Sequence, residues 1–337
     1  MNAAARRTRG SASMAALALL VLLASTAAGG AMVLRASSSY AGRSAAREEE
    51  DRAMAAAAEK VLRALCADPS PDRDSPLDPV WDAVREAAAD GTAVDLSDAG
   101  AGFNPNWIQK NLLEKTGLGD LLRPGRTADE LQQRREERGP AADILAGYGD
   151  MFVEKALESH GSGWGYANVN VTDEFVLRRL YALRTGDEAG AEGFHARVQR
   201  LLADRKLAAT GDLAEILGPG MDALFPLVNA EPVFNVHYLD PLVLKELLAY
   251  PEWKVTEPAG TAARILDARG SSEIGPEDLK RLVTAPEDSR VWQYLGTVTW
   301  FWRVRVARGG RELVTVAARI PGDGPPVFQV VEERRIP

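Results

Sequence analysis

The sequence predicts an α+β fold: a long N-terminal helix packed on a small antiparallel sheet, with a large α-helical domain inserted between them. Three observations carry this reading. No proline interrupts the helical pattern that leads up to Ala67, one helical sentence is written twice in mid-chain, and the C-terminal 40 residues or so alternate apolar and polar side chains. At 337 residues, 46% apolar and 26% charged, the chain is ordinary globular material, long enough for two domains or for one with a large insertion.

The N-terminus comes first. Arg6, Arg7 and Arg9 precede Ser11 to Leu34, 24 residues without a charge, and a helix of that length crosses a bilayer core. The positive-inside bias leaves the arginines in the cytoplasm and exports the rest of the chain. The window alone suits either a membrane helix over 11–35 or a cleaved secretory signal with its small-residue site near Ala27. From Ser37 to Ala67 the chain is rich in alanine and places Ala46, Ala53, Ala57, Val61 and Leu65 at helical spacings, so the first helix is expected to run on as one rod. Such a rod favours the membrane helix. Pro69, Pro71, Pro76 and Pro79 end it.

The mid-chain repeat sets "YANVNVTDEFVLRRLYAL" against "VFNVHYLDPLVLKELLAY". Asn168, Val169, Asp173, Val176, Leu177 and Leu180 fall on Asn235, Val236, Asp240, Val243, Leu244 and Leu247. Each copy reads as an Asn-closed turn, an Asp cap and a helix. Arg205 and Asp212-Leu213 then match Arg269 and Asp278-Leu279, so the unit is two helices and a capped third. A third copy is read from Asn104, Asn106, Leu112 and Leu113. The repeats lie near 103–147, 166–217 and 233–283, inside an inserted helical domain of residues 99–285.

At the C-terminus, residues 286–337, Val298, Trp300, Trp302, Val304 and Val306 alternate with Thr299, Phe301, Arg303 and Arg305, the period of a strand with one buried face. Gly309-Gly310 turns it back. Leu313 to Arg319 makes a second strand and Val327 to Val331 a third, and Ala93 to Leu96 is a candidate fourth at the end of a stem over 36–98. The exported part of the N-terminal helix is the expected partner layer.

The formal charge of −8, with 18 Asp+Glu against 13 Lys+Arg in residues 166–285, argues against a nucleic-acid binder. The single cysteine, Cys66, excludes an intrachain disulfide and a multi-cysteine metal site. His160, His195 and His237 have no metal-ligand spacing and read as structural, and Ser162 in "HGSGWG" lacks the strand-to-helix frame of a nucleophile elbow. No catalytic residue, no cofactor and no enzymatic activity is expected. Asp68, Asp72, Asp74 and Asp78 cluster carboxylates in one proline-rich loop; hard cations prefer such oxygens, but the spacing is not that of an EF-hand and the loop reads as a solvated linker. The repeat units also resemble helix-hairpin-helix modules that grip DNA backbones. Glu252 and Glu257 at the bend of the last copy oppose phosphate binding.

A short basic leader over 1–10 ending in Gly10, an apolar segment directly after it, a continuous amphipathic helix and a globular body together resemble a type IV pilin-like precursor. Members of that superfamily usually carry Glu at the fifth mature position; counted from Ser11, that position here is Ala15. The chain as a whole resembles the K-type minor pseudopilin of type II secretion systems, the general secretion pathway protein K family. That family lacks the glutamate, has Asn-x-Asn motifs opening helical repeats inserted in the pilin fold, and ends in a small sheet. The motif stands at Asn168 and Asn170 and at Asn104 and Asn106, while the last copy has His237 in second place.

The resemblance implies a pilin-like helix and sheet, and helical units of the SAM-like, helix-hairpin-helix-like kind. It implies cleavage by prepilin peptidase between Gly10 and Ser11, with N-methylation of Ser11, and a single pass of the bacterial inner membrane with the body in the periplasm. Other minor pseudopilins and the inner-membrane secretion platform are the implied partners, and the tip of a short filament the implied place. Calcium, known for some pseudopilins, has no assigned ligand here. Two other readings stay open: a minor pilin of a type IV pilus or DNA-uptake system, and a soluble periplasmic binding protein with a cleaved signal.

Overall fold

The computed structural model describes residues 4–89, 91–104, 108–121, 129, 133, 160, 162, 164–204, 212, 228–321 and 325–336; the side chains of 4–24, 27, 28, 31, 33, 34, 36, 43, 121, 183 and 204 lie outside the description. The chain divides into two compact parts, Met1–Ala53 and Met54–Pro337.

The first part is helical. Helix α1 spans Ala4–Cys66, as the alanine-rich, proline-free sequence requires, and Met32 and Tyr40 are exposed on it. Among the described residues no helix is long and apolar enough to cross a membrane; most side chains of the 11–35 segment, expected as a membrane span, lie outside those residues.

In the second part, the end of α1 meets the sheet. Met54, Ala57, Ala58, Val61 and Leu65 recur at helical spacing and bury their side chains against Leu96, Trp302, Val304, Val306 and Leu313. Ala57 is 9% exposed in this core, because it lies one turn before Val61 on the same stripe. A short helix α2 (Val80–Ala87) closes the cluster with Val80, Val84 and Ala87.

Eight strands are numbered in chain order among the described residues. Four of them, β2 (Ala167–Asn168), β3 (Val228–Asn229), β4 (Phe234–Asn235) and β5 (Leu295–Gly296), are two-residue pieces within the helical region or at its end. The main sheet has four antiparallel strands in the order β1 (Ala93–Asp98), β6 (Phe301–Arg308), β7 (Arg311–Ile320) and β8 (Val327–Ile336). The first pair runs from Ala93 opposite Ala307 to Asp98 opposite Trp302, so the candidate fourth strand is real and longer than its sequence signal. Gly309 and Gly310 both sit at positive φ, 60° and 80°, the two-residue turn that joins twisted strands. β8 carries a bulge opposite Val316/Ala317 and ends in charged residues, which guard an open edge.

The alternation in β6 predicts one buried face, and here the structure differs. Phe301, on the other face, is 2% exposed and packs with Trp164, Tyr166, Val316 and Ala318. The helical insertion covers that end of the second face with two aromatic rings, which a period-two pattern cannot register.

Between β1 and β6, adjacent in the sheet, lies the helical region: α3 (Lys110–Lys115), α4 (Glu174–Thr185), α5 (Glu188–Asp204), α6 (Pro241–Leu248), α7 (Pro258–Arg269) and α8 (Pro276–Leu282) among the described residues. Helices α4 and α5 share a core of Val176, Leu177, Leu180, Phe194 and Val198. Helices α3, α6, α7 and α8 share a second core built on Leu112, Leu113, Leu244, Leu247, Ile265 and Leu279.

Candidate functional site

The second and third helical units each open with an Asn-led turn of the same construction. Asn168 Oδ1 accepts from the Asn170 N–H at 2.9 Å, and Asn235 Oδ1 from the His237 N–H at 3.0 Å. The Asn168 main-chain oxygen accepts from Val171 and Thr172; that of Asn235 accepts from Tyr238 and Leu239. An Asn bonding two residues ahead supplies the turn locally, as its side-chain length dictates. His237 replaces the second Asn because the turn uses only its main chain. Its imidazole is buried, Nε2 accepts from the Ile274 N–H at 2.9 Å, and burial pushes the ring below its usual range.

The residue before each Asn pairs with a distant segment. Strand β2 runs parallel to β3, with Ala167 opposite Val228, and β4 runs parallel to β5, with Phe234 opposite Leu295, at the same offset along the chain. Phe103 does likewise, donating to His160 O at 3.1 Å and accepting from the Ser162 N–H at 3.0 Å. Three stretches of chain therefore return to where they began. The Asn-x-Asn at 104 and 106 is described only at Asn104, whose Nδ2 reaches Trp164 O at 3.4 Å.

The caps differ between copies. Asp240 accepts from Leu242 and Val243, whereas Asp173 stands before α4 with no cap bond from its side chain. Arg269 donates to the turn carbonyls of Leu239 and Val236, at 2.7 and 3.3 Å; its sequence counterpart Arg205, with Leu213, lies outside the described residues. In the third unit Asp278 accepts from the Gly275 N–H at 3.1 Å, capping α8.

Ser162, His160 and His195 each bond to a neighbouring element. The Ser162 hydroxyl donates to Ala99 O and accepts from the Trp164 N–H, tying the insertion to the end of β1. His160 Nδ1 lies 3.0 Å from Asp240 Oδ2, joining the stretch that pairs with Phe103 to the third unit, and His195 Nδ1 lies 3.1 Å from Glu174 Oε1. Glu252 pairs with Lys115, and Glu257 adopts a left-handed backbone (φ 48°) just before α7. Gly10 and Ser11 are helical in α1; the side chains of Ser11 and Ala15 lie outside the described residues.

The acidic loop is not the solvated linker its sequence suggests. Asp74 is 2% and Asp78 4% exposed, and Asp68, Asp74 and Asp78 bring ligand oxygens within 4.8 Å of one another. The loop is buried because it is the junction of the molecule. Asp74 donates through its N–H to Thr297 O (2.7 Å), and its Oδ2 accepts from the Thr299 N–H (2.6 Å) and from Arg319 Nη1 (3.0 Å). The Asp74 carbonyl accepts from Asn235 Nδ2 (2.8 Å). Thr297 Oγ1 donates to Asp72 O, Trp81 Nε1 to Ser75 O, and Arg73 reaches Glu273 on the third unit at 2.9 Å.

Loss of water raises the Asp74 carboxyl to about 7, with Arg319 pulling the other way, and raises Asp78 to about 6. Asp98, at the end of β1, is likewise raised to about 7 by desolvation. Half-buried Tyr238 is held far above its usual range by loss of water, then by the carboxyls of Asp78, Asp74 and Asp98.

Calcium prefers six to eight oxygens, several from water or main chain. Here the three carboxylates already take protein donors, and a guanidinium sits on Asp74. The donor set does not fit a calcium ion.

Sequence reasoning locates the Asp cluster and the Asn turns but misses Arg319 and Thr299, which bring them together. In the sequence Arg319 is only the end of a strand. A lone basic residue in an apolar run, "LVTVAARI", is the signal available.

A cavity of about 620 Å³ opens beside this junction between α8 and the β7–β8 turn, walled by Pro232, Leu279, Trp292, Trp300 and Val327.

No family model matches the chain, and no curated protein matches it. Among solved structures it is similar to the GspK-GspI-GspJ complex from the enterotoxigenic Escherichia coli Type 2 Secretion System, at 16% identity over 88% of this chain and 99% of the matched chain, with a TM-score of 0.29.

Proposed function

We propose that this chain is a non-enzymatic minor pseudopilin, the tip subunit of a periplasmic pseudopilus in a type II secretion system. The observation that supports it most is the helix–sheet body: the end of α1 packs on a four-stranded antiparallel sheet whose neighbouring strands β1 and β6 are separated in sequence by the whole helical region. In this reading, residues 11–35 anchor the chain in the inner membrane before assembly, with the N-terminus cytoplasmic and the body periplasmic. Prepilin peptidase cuts between Gly10 and Ser11. The working contacts are with other minor pseudopilins and the inner-membrane platform, not with nucleic acid, and no cofactor is needed.

The physical logic of the tip rests on two features. In pilin-like filaments the fifth-position glutamate offsets the N-terminal amine of a neighbour inside apolar packing, where an unpaired charge costs several kcal/mol. A subunit with Ala15 there is ill-suited to repeat along a shaft. A helical insertion far larger than an ordinary loop also obstructs any subunit stacked above it.

The deciding measurement is the mass and N-terminal residue of the mature protein. A start at Ser11, lost in Gly10→Leu, is the expected result. A start near Ala28, or normal processing of Gly10→Leu, removes the peptidase assignment and the family reading with it.

A further inference from the structure

Three carboxylates with oxygens inside 4.8 Å are a density of negative charge that attracts a hard cation. In this chain the cation is a side chain. Arg319, on β7, is 7% exposed, and its Nη1 lies 3.0 Å from Asp74 Oδ2 while Nη2 donates to Pro71 O. One guanidinium therefore grips the loop by side chain and by main chain together, a fork that an ammonium lacks. The Phe328 ring, 5.9 Å from the guanidinium carbon, backs it on the other side.

The remaining carboxylates are also supplied from within. Asp78 accepts from the Ser75 N–H and hydroxyl, Asp68 accepts from the Ser70 N–H at 2.8 Å, and Asp74 takes the Thr299 N–H besides Arg319. A divalent ion entering this space would meet a fixed positive charge, and two of its three carboxylate ligands are cut off from the solvent that would complete its shell.

We propose that Arg319 is the resident cation of the 68–78 loop, so that the loop is held in place without a divalent metal and acquires a need for one only when Arg319 is removed. This holds whether or not the chain is a pseudopilin. It makes the join between α1, the sheet and the third helical unit independent of the calcium level outside the cell.

The test is thermal unfolding of the full chain in detergent micelles at pH 8, in EDTA and in millimolar CaCl2, with calorimetric titration of CaCl2 into the wild-type protein. The wild type should unfold at the same temperature in both buffers and give no heat of binding. Arg319→Gln, which leaves buried carboxylates uncompensated, should unfold about 10 °C lower in EDTA and recover at least about half of that in CaCl2. Arg319→Lys keeps the charge and should be as indifferent to calcium as the wild type; it serves as the readout if Arg319→Gln does not fold. A wild-type transition that drops in EDTA and returns with calcium overturns the proposal. So does an Arg319→Gln transition that calcium does not raise, or an Arg319→Lys transition that calcium does.

Discussion

The Asn235 side chain donates to the main-chain oxygen of Asp74, 161 positions earlier, at 2.8 Å, and to Thr299 Oγ1 at 2.9 Å. One amide thus closes its own turn and fastens it to the acidic loop and to the approach of β6. Asn235→Ala strands the Asp74 carbonyl and the His237 N–H in a buried site. Leaving such groups unpaired costs about 1–3 kcal/mol each, and we expect a loss of about 3 kcal/mol in denaturant unfolding. A loss below about 1 kcal/mol contradicts the role assigned to this amide.

Stability should fall as pH rises from about 4 to about 7. Asp74, Asp78 and Asp98 have folded values of about 7, 6 and 7, above the unfolded carboxylate value of about 4, so the native chain holds protons that the unfolded chain has released. Their favourable contribution is complete below the unfolded value and is gone once pH passes the folded one, the reverse of an ordinary salt-bridged carboxylate. Melting temperatures between pH 4.5 and 8 give the slope, and Asp98→Asn should flatten it while keeping the bond from the Gly100 N–H. A wild-type melting temperature that climbs through this window refutes the assignment.

Two alanines on α1 should behave in opposite ways. Ala57 is in the core with Val61 and Leu65, and Ala57→Glu buries an unpaired charge, expected to cost several kcal/mol and to abolish cooperative unfolding of the body. Ala46 is exposed, and Ala46→Glu should leave stability within about 0.5 kcal/mol. If α1 joins this chain to other minor pseudopilins, the same Ala46→Glu should weaken their co-purification. Equal destabilisation by both changes would place the buried stripe elsewhere.

The helical units should not retain duplex DNA. Glu252 and Glu257 flank the bend of the third unit, where a DNA-gripping hairpin presents main-chain N–H groups to phosphate, and the cations nearest them, Lys115 and Arg264, are already engaged by these carboxylates. Retention that is tight at physiological salt and weakens steeply as salt rises is the result that revives a nucleic-acid role.

The elements whose signal is local are legible in the sequence. The α1 rod, the Gly309-Gly310 hairpin and the Asn-closed turns at Asn168 and Asn235 are each set by residues within a few positions of one another, and each is found where its residues put it. The features that stay hidden depend on partners far along the chain. Phe301 looks exposed until Trp164 and Tyr166 cover it. The 68–78 loop reads as solvated because its burial is supplied by Arg319, Thr299 and Asn235, none nearer than 157 residues to any carboxylate of the loop in sequence order. Long-range pairing has no period to read.

The return of the chain to its own starting point has a mechanical consequence. The helical region leaves the sheet at Asp98 and re-enters beside it, with Asp98 opposite Trp302 and the β1–β6 ladder running from there to Ala93 opposite Ala307. Tension drawn between Ala93 and Ala307, the outer ends of those two strands, is met by that ladder, as a clasp across the base of a loop. Behind it, the β2–β3 and β4–β5 pairs are smaller clasps, each shutting one stretch of helices. Until a clasp opens, the helices shut behind it carry none of that tension, and the load passes through paired strands alone.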